Sequence, residues 1–526
     1  MGASFHIENF GCRAARADGE AIADRLHASG MSESHAALAD VVVVNTCSVT
    51  AEADRAARAF IRRAHRMNPD ARIVATGCYA QRAPAELAAL GGVAAVVGNS
   101  HKAFAPEIAL NLANQTALKG LDRATQRGTG IRIDQAIGKG TGFSPCIDLP
   151  GSSRALAPEG LVSGAAIFET PSSIVTIQSL LASANSPATF VDDRFAHSFL
   201  EEAQVLPGAQ TRPNLKIQEG CGNRCTFCVI PQTRGSSRSL PAERILRQVQ
   251  GFVAAGGNEL VLSGINLGRW GRDFASTAAG HPTLAGLVRI IFEQTGLPRL
   301  RLSSIEPMDW DSKLIALMAE FGGTRLARHA HLPLQSGSDT VLRRMHRRYR
   351  PWHYMDKIAA LLRAAGPDLT VGADVMVGFP GETASEFEET IELIRALPFG
   401  YLHLFPFSPR PGTPAWALHA AMPVAPALVE ERMTTLRALA AQKNEAHRRH
   451  FIGRELDAIT LNTRDSQANP NGTSALTENF IPVEIAASLP ANRLVRIRVT
   501  GIANDGTLLA AEASNVPALL AVQAAV

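Results

Sequence analysis

Residues 215–228 read LKIQEGCGNRCTFC, and this stretch decides how the central part of the chain folds. A short apolar strand, LKIQ, leads into a loop that carries Cys221, Cys225 and Cys228. A structural zinc site takes four ligands, and no fourth Cys or His lies close in sequence on either side. Three thiolates instead suit a [4Fe–4S] cluster in which one iron is left open. Because CxxxCxxC is a short motif, zinc binding and a chance pattern are the alternatives on spacing alone.

The strand LKIQ is the first of six that alternate with helical segments. Such alternation is typical of parallel strands covered by helices. It predicts an open (β/α)6 barrel or a large α/β sheet over residues 211–440. The later candidate strands are ELVLSG (259–264), LRLSS (300–304), HAHLPL (329–334), LTVGADVMVGF (369–379) and LHLFPFS (402–408).

Three further cysteines follow apolar runs near the start of the chain. Residues 1–115 alternate such runs with helix-like segments, which predicts a small doubly wound α/β domain. Cys12, Cys47 and Cys78 each directly follow one of the runs. Since the carboxyl ends of parallel strands lie at one edge of a sheet, we expect these thiols to converge and hold a second [4Fe–4S] cluster. The alternative is three unrelated buried cysteines, which are common in protein cores.

The remaining segments differ in composition. Residues 116–210 are rich in Gly, Ser, Thr, Ala and Pro, and are predicted to be an insertion or linker. Cys146, within them, is interpreted as a thiol without a catalytic role. Residues 441–526 follow a charged helix and contain LDAITLN, ENFIPVEI and RLVRIRVTGI, in which apolar and polar residues alternate. This alternation predicts a small antiparallel β-barrel followed by a tail.

The overall composition limits the class of protein. The 526 residues are too many for one ordinary domain, and 46% apolar with 19% charged residues is a normal core-forming composition. No apolar run approaches the length of a membrane span, and the N-terminus has no signal-peptide pattern. We therefore predict a cytoplasmic protein without a membrane partner, whose seven cysteines are ligands or buried thiols rather than disulfides. The net charge of +4 permits a nucleic-acid partner but does not argue for one.

Longer sequence motifs, both around the cysteines and beyond them, resemble those of a known family. In the order of their domains and in these motifs, the chain resembles the radical SAM (S-adenosylmethionine) methylthiotransferases, over nearly its whole length except about residues 125–190. The resemblance implies an N-terminal domain with an auxiliary cluster, a central radical SAM core and a C-terminal TRAM domain that binds RNA. The motifs are NTCSVTAEADRAAR (45–58), TGCYAQ (76–81), KIQEGCGNRCTFCVIPQTRG (216–235), LSGINLG (262–268), HLPLQSGSDTVLRRM (331–345), DVMVGFPGET (374–383) and FPFSPRPGT (405–413).

The resemblance also implies a function and its cofactors. It implies two [4Fe–4S] clusters, SAM, an electron donor such as flavodoxin or ferredoxin, and a monomer that acts on a tRNA anticodon stem-loop. CSVTAEADRAARAFIRRAHRMNPDA and INLGRWGRD look most like the threonylcarbamoyladenosine branch. The predicted reaction is addition of a methylthio group to C2 of N6-threonylcarbamoyladenosine at position 37. The alternatives are isopentenyladenosine in tRNA or ribosomal protein S12 as substrate, and, from other classes, a non-catalytic RNA-binding iron–sulfur protein or a two-cluster electron carrier.

Further site residues follow from the same resemblance. For several of these residues, the alternative to SAM binding is an ordinary strand-end cap or turn. His331 is interpreted as structural or as part of the wall of the SAM pocket. One departure from the family is that the residues after Cys12 lack the Lys-Val-Asn that members often show. The implied SAM-binding residues are Phe227, Ser263, Gly264, Glu306, Gln335 and Ser336.

Two sets of arginines are candidates for RNA binding. Arg343, Arg344, Arg347 and Arg348 form a basic stretch that could grip phosphates, although a solvated helix face has the same pattern. Arg496 and Arg498 alternate along one strand, so both lie on one face of the predicted barrel.

Overall fold

The structure is a computed structural model that describes residues 3–126, 167–170, 173–176, 187–195, 207, 211–275, 281–462 and 472–513. Cys146 and most of the predicted linker lie outside these ranges, as does the C-terminal tail. The chain divides into two compact units. The first comprises Met1–Phe10, Ile22–Cys47 and Glu52–Phe199, and the second comprises Gly11–Ala21, Ser48–Ala51 and Leu200–Val526.

A six-stranded parallel sheet forms the centre of the first unit, which confirms the predicted α/β fold. Its order is β2-β1-β3-β4-β5-β8, and β6 and β7 form a separate hairpin. The strands are β1 (Ser4–Asn9), β2 (Ser32–Glu33), β3 (Val41–Thr46), β4 (Arg72–Gly77), β5 (Val93–Gly98), β6 (Ile167–Thr170), β7 (Ser173–Thr176) and β8 (Ala188–Phe190).

Every residue of β3 is buried, which shows that helices cover both faces of this sheet. Val41 and Val43 pack in one core cluster with Ile22, whereas Val42 packs in another with Ile61. Successive side chains of a strand point to opposite faces, so an unbroken apolar run needs a helix layer on each side. The helices of this part of the chain are α1 (Arg13–Ala28), α2 (Ala51–Met67), α3 (Cys78–Arg82), α4 (Pro84–Ala88) and α5 (Ala105–Gln126), with a 3-10 turn at Asn99–Phe104.

Six parallel strands that alternate with helices form the core of the second unit, as the sequence predicts. They lie in two sheets, β10-β9-β11-β12 and β13-β14-β15, where the short β10 is antiparallel to β9. The strands are β9 (Asn214–Glu219), β10 (Arg238–Ser239), β11 (Glu259–Gly264), β12 (Arg299–Leu302), β13 (His329–His331), β14 (Thr370–Val377) and β15 (Phe399–Pro406).

The helices between these strands begin at recognisable caps. Thr283 and Asp311 each accept a hydrogen bond from a backbone N–H of the following first turn, and Thr383 does so within a capping box with Glu386. The helices are α6 (Ile230–Arg234), α7 (Ala242–Ala254), α8 (Leu284–Gln294), α9 (Ser312–Phe321), α10 (Asp339–Arg344), α11 (Pro351–Ala365), α12 (Ala384–Ala396) and α13 (Pro414–Ala421), with 3-10 turns at Leu267–Arg269 and Pro307–Asp309.

The long helix α14 (Pro426–Arg449) leads into a closed five-stranded barrel, which confirms the predicted C-terminal β-domain. Each neighbouring pair of its strands is antiparallel except β18 and β20. The strands are β16 (Glu455–Thr460), β17 (Thr473–Thr477), β18 (Pro482–Ile485), β19 (Leu494–Ile502) and β20 (Leu508–Glu512). No helix among the described residues is both long and apolar enough to cross a bilayer.

Candidate functional site

The loop with Cys221, Cys225 and Cys228 is fixed at the carboxyl end of β9. Gly220 turns the chain out of the strand with φ +69°, and a Cβ there would lie 2.0 Å from the carbonyl oxygen of Ser236. Only glycine combines that conformation with such a close approach. The backbone N–H of Cys221 then donates to Gly235, and that of Cys228 donates to Cys225. The three thiols therefore stand on one short loop that is anchored at both ends.

The environment of these thiols suits ligands of a cluster. Burial raises the pKa of the Cys221 thiol and raises that of Cys228 to about 12, so these two thiols keep their protons until a metal displaces them. The backbone N–H of Asn223 donates to Cys221 Sγ over 3.4 Å. Among the described residues, no three His, Cys, Asp or Glu side chains converge on a single metal ion. A cubane offers a separate iron to each thiolate, so the donor chemistry fits the cluster.

Arg347 lies beside the second of these cysteines. Its Nη1 is 3.3 Å from Cys225 Sγ, and its Nη2 donates to both carboxylate oxygens of Glu306 over 2.8 and 2.7 Å. Its Nε donates to the hydroxyl of Tyr349. Arg347 was predicted to contact RNA, but its side chain is only 5% exposed and its donors point at Cys225, Glu306 and Tyr349.

The predicted SAM-binding residues lie where strands of the second unit end. Ser263 and Gly264 close β11, and a Cβ on Gly264 would meet Gln218 at 3.0 Å. Gln335 follows β13 with φ +64°, and its buried Oε1 has no hydrogen-bond partner among the described residues.

The other members of this predicted set have partners within the protein. The Phe227 ring packs edge-on against Phe379, at 6.5 Å between ring centroids. Glu306 pairs with Arg347, as described above. The hydroxyl of Ser336 lies 3.2 Å from that of Thr390 and accepts from the Ser338 N–H. Ser336 therefore also has a turn-forming role, which was the alternative to SAM binding.

A buried charge tetrad next to the cysteine loop was missed by the sequence analysis. It consists of Asp18 on α1, Lys216 and Glu219 on β9, and Arg234 on α6. Lys216 donates to Asp18 and, over 2.5 Å, to Glu219, while Arg234 reaches Asp18 at 3.2 Å and Glu219 at 2.5 Å. The strand NLKIQE has only two apolar residues, Leu215 and Ile217, so nothing in its pattern marked Lys216 and Glu219 as buried. The tetrad connects the helix that follows Cys12 to the strand that precedes Cys221.

The other three cysteines follow three neighbouring strands of the first unit's sheet. Cys47 and Cys78 come directly after β3 and β4, and Cys12 comes three residues after β1. Gly77 has φ +100°, and a Cβ there would lie 2.2 Å from the carbonyl oxygen of Thr46, so the ends of β3 and β4 approach closely.

Polar groups surround the buried pair of these cysteines. The side-chain amide of Asn99 donates to Cys78 Sγ over 3.4 Å. The buried Lys102 donates to Asn45, two residues before Cys47. These donors lie at the strand ends at which the sequence predicts the second cluster.

The remaining candidate RNA-binding arginines all have carboxylate partners. Arg343 pairs with Asp339, Arg344 with Glu386 and Arg348 with Asp309. On β19, Arg496 pairs with Glu455 and Asp457, and Arg498 pairs with Glu455. Arg496 and Arg498 are exposed on one face of the strand, as the alternation predicts, while Val495, Ile497 and Val499 face the barrel core.

The fold and the cysteine loop together define a radical SAM protein. The radical SAM superfamily matches residues 215–394, and the uncharacterized protein family UPF0004 matches residues 4–98. The chain is 33% identical to "Threonylcarbamoyladenosine tRNA methylthiotransferase MtaB" of Bacillus subtilis (strain 168), over 85% of this chain and 82% of that one. It is 31% identical to the protein of the same name from Aquifex aeolicus (strain VF5), over 94% and 99% of the two chains.

A second branch matches over a shorter range. The chain is 36% identical to "tRNA-2-methylthio-N(6)-dimethylallyladenosine synthase" of Cereibacter sphaeroides (strain ATCC 17025 / ATH 2.4.3), over 59% of this chain and 66% of that one. The chain belongs to the radical SAM methylthiotransferase family and is therefore an enzyme. Its cofactors are SAM and [4Fe–4S] clusters, as the sequence analysis expected.

Proposed function

We propose that this enzyme adds a methylthio group to C2 of N6-threonylcarbamoyladenosine at position 37 of tRNA, next to the anticodon. The observation that carries the proposal is the match along most of the chain to relatives named for that substrate. The isopentenyladenosine alternative is supported by the shorter match to the second branch. A base in the single-stranded anticodon loop can be turned into a pocket at modest energetic cost. A tRNA substrate also favours the cytoplasm as the site of action.

Six of the cysteines divide into two ligand sets in this proposal. Cys221, Cys225 and Cys228 hold the cluster that binds SAM, and Cys12, Cys47 and Cys78 hold the auxiliary cluster. When bound, these groups supply the radical that removes hydrogen from C2 and the sulfur that replaces it. A flavodoxin or ferredoxin supplies the electron, and the chain acts as a monomer.

The protein's own residues orient the cofactors and exclude water. Gly220 and Gly235 fix the cysteine loop, and the side-chain amide of Asn266 lies 3.6 Å from Cys221 Sγ. Gln335 offers a buried carbonyl oxygen to a ligand. Phe227, Ser263, Gly264, Glu306 and Ser336 complete the proposed SAM-binding set.

The exposed arginines are proposed to bind the RNA backbone. Three of these arginines pair with partly exposed carboxylates and can exchange that partner for a phosphate, since exposed ion pairs contribute little stability. Arg344 and Arg348 pair with the buried carboxylates of Glu386 and Asp309, so these two arginines would bind a phosphate while keeping their carboxylate partner. Phosphate contacts position a nucleic acid without reading its sequence. The proposed set is Arg343, Arg344 and Arg348 on the core and Arg496 and Arg498 on the barrel.

The substrate is tested with the reconstituted enzyme, SAM, a reductant and anticodon stem-loop RNAs. We expect a methylthio product from RNA that carries N6-threonylcarbamoyladenosine at position 37, detected by nucleoside mass spectrometry. Cys221→Ala should yield neither this product nor 5′-deoxyadenosine, because it loses a ligand of the SAM-binding cluster. Product from the isopentenyladenosine RNA alone would assign the enzyme to the other branch.

Replacing Arg347 with Met is expected to make the reduction potential of the SAM-binding cluster more negative. A positive charge 3.3 Å from a ligand sulfur favours the added electron, and net charge and hydrogen bonds to the sulfurs set such potentials. An EPR-monitored redox titration measures the shift, and 5′-deoxyadenosine formation with a weak reductant should slow. Arg347→Lys, which keeps the charge, should shift the potential less. An equal shift in both variants would mean that the charge of Arg347 is not the cause.

A further inference from the structure

A cluster of polar side chains lies on β13, β14 and β15 and at the start of α1 in the second unit. We call it the lumen pocket, and it is lined by Arg13, His331, Asp374, Tyr401 and His403. The His331 ring is stacked on Tyr401 at 5.9 Å between centroids and lies 5.6 Å from His403. His331 Nε2 lies 3.4 Å from a carboxylate oxygen of Asp374. The exposure of the side chains falls from His403, which is exposed, to His331, which is buried.

Packing and a hydrogen bond hold the ring of Tyr401 in place in the pocket. Tyr401 lies directly over Gly372, where a Cβ would meet its ring at 2.1 Å. Its hydroxyl is 2.7 Å from His329 Nε2, and its ring is 5.7 Å from that of Phe480. The guanidinium of Arg13 lies 5.3 Å from the centroid of Phe480. Arg13 is therefore held at the pocket by a cation–π contact.

Among the five lining residues, the nitrogen donors outnumber the one carboxylate, which belongs to Asp374. Neither ring nitrogen of the buried His331 has a hydrogen-bond partner among the described residues. The half-buried Arg13 guanidinium makes no hydrogen bond and no ion pair with any residue that the structure describes. Burial and the neighbouring positive charge of His331 lower the pKa of His403. Arg13 has only the more distant charge of Glu259 to stabilise it, so a ligand carboxylate that pairs with its guanidinium would further offset the cost of its burial.

We propose that the lumen pocket binds the N6-threonylcarbamoyl group of the substrate adenosine, with Arg13 pairing with its carboxylate and His331 and His403 hydrogen-bonding to its polar atoms. This inference rests on the proposed function. The group carries a carboxylate, a hydroxyl and a urea, which complement the cation and the ring nitrogens. An isopentenyl group has none of these and would leave the donors unsatisfied, which is how a polar site rejects an apolar analogue.

The position of Arg13 in the chain supports the same assignment. Arg13 directly follows Cys12, a proposed ligand of the cluster that supplies sulfur, and consecutive Cα atoms are about 3.8 Å apart. The C2 and C6 atoms of adenine flank the same ring nitrogen, N1. An N6 substituent held by Arg13 therefore keeps C2 near the cysteine that precedes it.

The test compares two stem-loop RNAs that differ only in the threonyl carboxylate. One carries N6-threonylcarbamoyladenosine and the other carries its neutral carboxamide, which is nearly isosteric. For the wild-type enzyme we expect the KM to be about tenfold to a hundredfold higher for the carboxamide, since a charge-assisted hydrogen bond is lost. Arg13→Gln should raise the KM for the carboxylate RNA by a similar factor and should no longer discriminate between the two RNAs. SAM cleavage without RNA and iron content should stay at wild-type levels.

Two further variants test whether a change in KM depends on the charge of Arg13. Arg13→Lys should restore most of the discrimination because it keeps the charge. Arg16→Gln removes an exposed arginine on the same helix, paired with Glu20, and should behave as wild type. Equal KM values of the wild type for both RNAs would overturn the proposal even if Arg13→Gln failed to fold, as would full discrimination by Arg13→Gln. No methylthio product from either RNA with active wild-type enzyme would instead overturn the proposed function.

Discussion

Replacing Cys12, Cys47 and Cys78 together with alanine is expected to abolish methylthio transfer while reductive cleavage of SAM continues. The three residues follow three neighbouring strands of one parallel sheet, whereas the SAM-binding set lies on the separate loop after β9. The reconstituted wild type should bind about eight irons, two cubanes' worth, and the triple variant about four. Iron analysis, 5′-deoxyadenosine formation and nucleoside mass spectrometry on one preparation measure all three properties.

The matched control is the triple alanine variant of Cys221, Cys225 and Cys228. It should also retain about four irons, but it should form no 5′-deoxyadenosine, because the ligands of the SAM-binding cluster are missing. Each triple variant should therefore keep half of the iron, but only the Cys12, Cys47 and Cys78 variant should still cleave SAM. A full iron load in the Cys12, Cys47 and Cys78 variant would remove these residues from the auxiliary site. Loss of SAM cleavage in that variant, with iron halved, would mean that the two sites are not independent.

The sequence predicted the features that depend on local pattern. The apolar run VVVVNT (41–46), followed by a helix-like segment, predicted a strand of a parallel sheet covered by helices, and β3 is buried throughout. The alternation in RLVRIRV placed Arg496 and Arg498 on one face, and they are exposed there. Cysteines at strand ends follow from the same reasoning, because a parallel sheet brings its carboxyl ends to one edge.

Features that depend on contacts far apart in sequence were not predictable in this way. Arg347 stands among other arginines, and its partners Cys225 and Glu306 belong to other elements of the fold. A basic stretch on a short helix has the pattern of a solvated face, so nothing local distinguished the one buried member. The candidate strand HAHLPL was longer than β13, which ends at His331. The backbone N–H groups of Leu332 and Leu334 still donate to Gly372 and Asp374 of β14, so the extended segment continues beyond the strand itself.

The buried charge tetrad leads to the second large effect, on stability. Replacing Asp18 with alanine should lower the free energy of unfolding by about 3–5 kcal/mol, because it leaves two buried cations facing one carboxylate. Asp18, Glu219 and Arg234 are almost fully buried, and Lys216 is nearly so. Burial alone would raise the pKa of Glu219, yet Arg234 and Lys216 outweigh it and hold that pKa below its ordinary value. Urea unfolding followed by the fluorescence of the buried Trp270 and Trp310 reports on this core.

A double-mutant cycle separates the charge balance of the tetrad from its packing. Lys216→Met alone should also destabilise the protein, since it leaves two carboxylates facing Arg234. Asp18→Ala combined with Lys216→Met leaves the single pair of Glu219 and Arg234, at 2.5 Å, so the double variant should lose less than the sum of the two single losses. Contacting groups in one network couple by about 0.5–3 kcal/mol, whereas Arg16→Gln, at an exposed ion pair on the same helix, should cost at most about 1 kcal/mol. Additive losses in the cycle would show that Asp18 and Lys216 act as separate packing residues. Coupling would show that one neutral network positions the helix after Cys12 against the strand before Cys221.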